Sequence, residues 1–176
     1  MKTLLYIGRF QPFHNGHKLL VDDAFKQCDK LIVGLGSANA RPSPKNPFSL
    51  IEREEMIKTS LDRYVHVIHL YDYPGEDNYW AKQVHNEMRK YEEDWGLYGY
   101  SKDTSSFYLN IFPGHELTTY SGTVLKIDAT SIRSQFFRPD ANMKAIAPYV
   151  PRGTYEVLNR IKQTDRWTVA CQGAYL

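Results

Sequence analysis

Residues 8–17, "GRFQPFHNGH", place an arginine, a proline, two glycines and two histidines within ten positions. His14 and His17 sit three apart, with Gly16 just before the second. As surface turn residues they need no partners, but that leaves Arg9, Pro12 and the glycines without a reason. As metal ligands they need a third and fourth donor at ligand spacing, and a Cys or Asp would have to arrive from elsewhere. A phosphate ligand explains more of the stretch. His17 begins a predicted helix, whose first N–H groups lack acceptors and whose dipole is positive at that end. Gly16 lets backbone approach a ligand without a Cβ between. Imidazole N–H groups and Arg9 then add donors and charge, which together suit a polyphosphate.

The elements that must position these residues follow from periodicity. "TLLYIG" (3–8) and "KLIVGLG" (30–36) read as buried strands. Between them, "HKLLVDDAFKQC" (17–28) carries Leu20, Val21, Ala24, Phe25 and Cys28 at helical spacing. Together they make a βαβ unit with a right-handed crossover. Ser49 and Glu52 have capping-box spacing and start a helix over 49–61. A strand over 64–70, a helix over 78–91 and strands at 96–100 and 115–120 follow. Thr130 or Ser131 caps a helix over 130–137, and a last helix occupies about 152–163, after Pro148 and Pro151. The alternation predicts an α/β fold, a Rossmann-like open parallel sheet with helices on both faces. Ligands of such sheets bind beyond the carboxyl ends of the strands. The unusual residues gather in the loops that leave those ends, among them Arg9, His14, His17, Arg41, Lys45, Trp80 and Lys102.

Bulk properties narrow the class. The chain has 176 residues, 42% hydrophobic and 24% charged, which favours one ordinary globular domain over 1–176. A net charge of +2 gives no reason to expect nucleic-acid binding. Cys28 and Cys171 form neither a disulfide framework nor a metal-ligand pattern. The opening apolar stretch meets Gly8 and Arg9 too soon for a signal peptide. No apolar run approaches the roughly 18 residues of a membrane span. A cytoplasmic protein without a membrane partner is expected, and homo-oligomerisation is left open.

"GRFQPFHNGH" resembles the signature of the nucleotidylyltransferase superfamily, with "GRFQP" marking archaeal-type nicotinamide mononucleotide (NMN) adenylyltransferases. Four further segments are similar to that branch in order: "GLGSANARPSPKNPFSLIEREEMI" (34–57), "DNYW" (77–80), "GYSKDTSSFYLNIFP" (99–113) and "ATSIRSQF" (129–136). The third resembles bacterial and phage members fused to a Nudix hydrolase. Tyr100 departs from the histidine of that group, and no Nudix box follows residue 163, so ADP-ribose hydrolysis is not expected. The similarity covers a core of about 3–163 and leaves the tail 164–176 unexplained.

The resemblance implies transfer of the adenylyl group of ATP to the 5′-phosphate of NMN, giving NAD and pyrophosphate. His14, His17 and Arg133 would be catalytic. Gly8, Arg9, Phe10, Gly16, Lys45 (or Arg41), Ser131 and Arg133 would bind ATP and its phosphates. Asp77, Asn78 and Trp80 would bind NMN, with the indole stacked on nicotinamide; the plainer reading makes Trp80 a core residue beside Val84 and Met88. Ser101 to Asp103 read equally as a helix cap or as a nucleotide contact. Magnesium would travel with the ATP phosphates, without a dedicated protein metal site. Rival readings are transfer to nicotinate mononucleotide, phosphopantetheine or FMN, and a non-catalytic NAD- or nucleotide-sensing module.

Overall fold

A computed structural model describes residues 2–100, 110–112, 114–123 and 125–175. The chain gathers into two compact units, described separately below. The first comprises Met1–Gly8, Leu20–Asn39 and Val65–Thr123; the second comprises Arg9–Leu19, Ala40–Tyr64 and Val124–Leu176.

The first unit holds the sheet. Strands β1 (Thr3–Gly8), β2 (Lys30–Leu35), β3 (His66–His69), β4 (Gly96–Gly99) and β5 (Leu117–Thr119) pair in the order β3-β2-β1-β4-β5. All four pairings are parallel, so every strand ends at the same edge. The order reverses between β1 and β4, the kind of point at which open α/β sheets take ligands. Alternation along the strands sends Leu5, Ile7, Ile32, Ile68, Leu70 and Leu97 to one face. There they join Val84 and Met88 of helix α3 (Asp77–Met88), with Trp95 and Phe112. Each buried aliphatic or aromatic side chain contributes roughly 1.5–3 kcal/mol. Gly34 is required at this face: a Cβ would come within 2.9 Å of Leu70 and 3.0 Å of Ile7. On the other face Tyr98, fully buried, donates its hydroxyl to Asp23 at 2.7 Å. Asp23 belongs to helix α1 (Asn15–Ala24), so the sheet carries helices on both faces, as expected.

The second unit is helical. It contains α2 (Leu50–Ser60), α4 (Ala129–Phe136), the short α5 (Met143–Ile146), α6 (Arg152–Ile161) and α7 (Asp165–Cys171). The capping box of α2 is present: Glu52 N–H donates to Ser49 Oγ at 3.3 Å, and Ser49 N–H to Glu52 Oε2 at 2.8 Å. α2 and α6 pack closely through Ser60 and Thr154, whose hydroxyls are 3.3 Å apart.

Several boundaries differ from the sequence reading. α1 begins at Asn15, before His17, because the His14 carbonyl accepts the first helical bond, from Lys18. It ends at Ala24, since Lys26 and Gln27 donate three residues back and tighten the chain into turns. The cap of α4 is neither Thr130 nor Ser131 but Asp128, whose carboxylate outcompetes their hydroxyls for the helix N–H groups. The tail, left unexplained by the family resemblance, forms α7 with Thr164 as its cap.

Candidate active site

The spacing of His14 and His17 has a local cause. His14 is the residue before α1, and His17 is the third residue of the helix. His17 N–H donates to His14 Nδ1, and His14 N–H donates to His17 Nδ1, both at 3.3 Å. This is the reciprocal geometry of a capping box, built from two imidazoles. The rings stack at 3.6 Å between centroids and 20° between planes. A neutral imidazole that accepts at Nδ1 carries its proton on Nε2, so each ring holds a donor on its far side. Gly16 serves this pair: a Cβ there would lie 3.0 Å from the His14 ring. His17 is further held by Phe13, stacked at 5.7 Å, and by the edge of Phe10 at 4.9 Å.

Gly8 closes β1, and the chain turns at Phe10, whose φ of 51° lies in the left-handed region. That conformation costs a non-glycine residue about 1–2 kcal/mol, offset by burial of the ring, which is 1% exposed. Beyond it, the Gln11 side chain bonds both main-chain groups of Phe48, each at 3.0 Å. Arg53 of α2, only 2% exposed, donates to the Arg9 carbonyl at 2.8 Å. Neither Gln11 nor Arg53 was singled out by motif; their partners lie 37 and 44 residues away.

Arg133 of α4 ties three segments of the second unit together. Its Nε donates to the Pro44 carbonyl at 3.0 Å, one Nη to the Gln11 carbonyl at 2.7 Å, and the other to Thr130 Oγ1 at 3.2 Å. Pro44 and Lys45 form the tip of a turn closed by Ser43 and Asn46. The exposed Lys45 therefore rides on a turn anchored by Arg133, a placement Arg41 does not share. Desolvation and the neighbouring charge of Arg9 both push the Arg133 pKa down, while Asp128 opposes them. Ser131 gives its N–H to the Asp128 carboxylate at 2.8 Å and its hydroxyl at 2.7 Å.

The tail supports these carriers. Trp167 of α7 donates its indole N–H to the Phe136 carbonyl at the end of α4, at 3.0 Å. Arg166 pairs with Glu52 of the α2 capping box at 2.6 Å.

The remaining candidates belong to the first unit. Asp77 and Asn78 are exposed on the first turn of α3, whose N-terminus has no side-chain cap. Trp80 is half-buried, 5.9 Å from the Phe112 ring and packed against the core cluster. Ser101 to Asp103 lie outside the described residues. Among the described residues, no three or more His, Cys, Asp or Glu side chains gather as a metal site. No described helix is long and apolar enough to cross a membrane.

Comparison with known proteins places the chain among relatives. The cytidylyltransferase-like family matches residues 5–91. The chain is 31% identical over 172 residues to a nicotinamide/nicotinic acid mononucleotide adenylyltransferase of Acinetobacter baylyi, covering 92% of this chain and 87% of that protein. It is 48% identical over 62 residues to a nicotinamide-nucleotide adenylyltransferase of Methanolobus tindarius, covering 35% and 36%. Among solved structures it resembles a bifunctional NMN adenylyltransferase/ADP ribose pyrophosphatase of Francisella tularensis. One crystal structure of that protein gives a TM-score of 0.84 at 26% identity. A second, complexed with AMP and a manganese ion, gives 0.79 at 27%. Each match covers 97% of this chain and 52% of the Francisella chain, so the present sequence spans about half of that protein. The ordered motifs, the sheet topology and the near-complete match to the Acinetobacter protein place this chain in the family of nicotinamide/nicotinic acid mononucleotide adenylyltransferases.

Proposed function

We propose that this chain transfers the adenylyl group of ATP to the 5′-phosphate of NMN, releasing pyrophosphate and giving NAD. The observation that carries the reading is the imidazole pair bonded reciprocally at the start of α1, with Arg133 fixed to the Gln11 carbonyl of the preceding turn. Imidazole and guanidinium donors gathered on one turn suit a ligand with several anionic oxygens.

In the reaction, an oxygen of the NMN phosphate forms a bond to the α-phosphorus of ATP. The bond from that phosphorus to the bridging oxygen breaks, and its electron pair leaves with pyrophosphate. Both partners are already ionised, so no general base or covalent nucleophile is needed. Catalysis rests on positioning and on stabilising charge at the leaving group. His17 and His14 donate from Nε2 to the α-phosphate. Arg9, Arg133 and Lys45 hold the outer phosphates and take up charge as pyrophosphate departs. The backbone at Gly8, Phe10 and Gly16 shapes the turn that receives them. Ser131 reaches phosphate by exchanging the Asp128 carboxylate for it. Asp77 and Asn78 bind the carboxamide of NMN, and Trp80 stacks on its pyridinium ring.

A donor set of imidazole N–H groups and guanidiniums repels a bare cation and matches phosphate oxygens. Magnesium would therefore fit as an ion brought by the ATP phosphates, whose charge it would neutralise. The Acinetobacter relative, a nicotinamide/nicotinic acid mononucleotide adenylyltransferase, favours nicotinate mononucleotide as a second acceptor. The test is incubation of the purified chain with ATP, magnesium or manganese, and a panel of phosphate acceptors, followed by pyrophosphate release and product identity. NAD from NMN is expected. No dinucleotide from either pyridine acceptor, with reaction of phosphopantetheine or FMN, would sink the reading.

A further inference from the structure

Past the end of β3, Tyr71 and Asp72 are paired by side chains rather than by a neighbouring strand. Leu70 N–H donates to the Leu35 carbonyl at 3.0 Å, and Ala38 N–H to the Leu70 carbonyl at 2.9 Å, continuing the β2 ladder. Two residues on, the same side of the chain is met by Asn39. Asp72 N–H donates to Asn39 Oδ1 at 2.8 Å, and Asn39 Nδ2 donates back to the Asp72 carbonyl at 3.1 Å. The intervening residue faces the opposite side, where α3 supplies Gln83. Tyr71 N–H donates to Gln83 Oε1 at 2.9 Å, and Gln83 Nε2 donates to the Tyr71 carbonyl at 3.1 Å. A carboxamide offers one donor and one acceptor side by side, as a neighbouring strand does. Two amides thus prolong the main-chain pairing by two residues past the end of β3.

These clamps act on the segment that delivers α3. Only Tyr73 to Glu76 separate the clamped pair from Asp77, and that interval is a turn with Gly75 at φ 77° and Glu76 N–H bonded to the Tyr73 carbonyl. The helix has no side-chain cap to set its start. Gln83 closes a loop of chain from residue 71 to residue 83 that contains Asp77, Asn78 and Trp80. Both amides are solvent-accessible, so their bonds add little to global stability while fixing where the loop runs.

We infer that Gln83 and Asn39 are positioning residues for the mononucleotide acceptor and have no part in holding ATP. The inference rests on the assignment of Asp77, Asn78 and Trp80 to that acceptor. It is tested with Gln83→Ala, Asn39→Ala and Gln83→Glu, the last keeping the acceptor for Tyr71 N–H but losing the donor to its carbonyl. KM for NMN, KM for ATP and Tm are measured on each. The alanine variants are expected to raise KM for NMN about tenfold, with KM for ATP within about twofold and Tm nearly unchanged. Gln83→Glu should fall between wild type and Gln83→Ala. Unchanged KM for NMN overturns the inference, as does a joint rise in both KM values with a fall in Tm. A wild-type chain that makes no pyridine dinucleotide overturns the reaction assignment, and this inference with it. A wild type that makes NAD beside unaffected variants overturns the clamp alone.

Discussion

His14 and His17 bond each other's backbone, and Arg133 bonds three acceptors, whereas Asp77 and Asn78 stand exposed on an uncapped helix turn. The first group is held by its own bonds: rings stacked, each Nδ1 accepting a backbone N–H, and the guanidinium tied to three acceptors. The second is placed indirectly, through amides acting on the chain that leads into α3. Charge building in a transition state rewards fixed donors, because they need no reorganisation as bonds change. Under the proposed assignment of Asp77, Asn78 and Trp80, recognition of a flat carboxamide and a pyridinium ring would tolerate a looser platform, and a loop set by a few hydrogen bonds is easily retuned.

The sharpest way to break this contrast separates the two roles of the histidine pair. The double variant His14→Ser/His17→Glu replaces the imidazoles with ordinary capping-box residues. Its Tm should stay near wild type while kcat falls about 10²–10³-fold, the loss typical of one removed transition-state donor or more. His17→Ala should lose as much kcat and also weaken the start of α1. If the double variant turns over within a few-fold of wild type, the pair is a cap and nothing more.

Arg133→Lys keeps the charge and loses the fork that reaches Pro44, Gln11 and Thr130. kcat/KM for ATP should drop about 10–100-fold, since each charge-assisted bond is worth more than a neutral one. KM for NMN should not move; a parallel rise there would show that Arg133 also orders the acceptor.

Trp80 probes the other group. Trp80→Ala should raise KM for NMN and spare KM for ATP, and Trp80→Phe should recover part of the loss through its smaller π-face. Loss of a buried core tryptophan instead costs about 3–5 kcal/mol, and then Tm and both KM values would change together. Its packing against Phe112 makes the melting curve the deciding measurement.

The smallest effect is on pH dependence. His85 lies 5.1 Å from the His115 ring and among Trp95 and Phe112. Burial, then the charges of His115 and Arg89, lower its pKa below the ordinary 6.5. A depressed histidine pKa means the unfolded chain binds the proton more readily. Its contribution is therefore full above pH 6.5 and is lost as pH falls through the folded value. Tm should decline over that window, and His85→Gln should flatten the decline. An unaltered slope in the variant would assign the acid sensitivity elsewhere.

Local periodicity was enough to read the parallel α/β alternation, the Ser49–Glu52 box and the residues of the "GRFQPFHNGH" turn. These depend on neighbours within a turn or a strand, and the physics that sets them is written in consecutive positions. The reason for the histidine spacing was only half visible. It predicted donors at a helix start, but the reciprocal bonds and the stacking at 3.6 Å required the folded turn. Asp128 as the α4 cap stands three residues before Ser131, a spacing that carries a signal once the helix start is moved by one residue.

What the tertiary structure alone decided lies at long sequence separation. Arg53 beneath Arg9, Gln11 against Phe48, Asn39 against Asp72, and α7 bracing α4 and α2 each join segments 31 to 114 residues apart. A hydrogen bond to a main-chain carbonyl leaves no mark on the residue that accepts it, because every residue has that carbonyl. The partner is chosen by where the chain passes after folding. By itself, then, the sequence determined which chemistry the chain carries, and the fold determined which groups hold that chemistry in place.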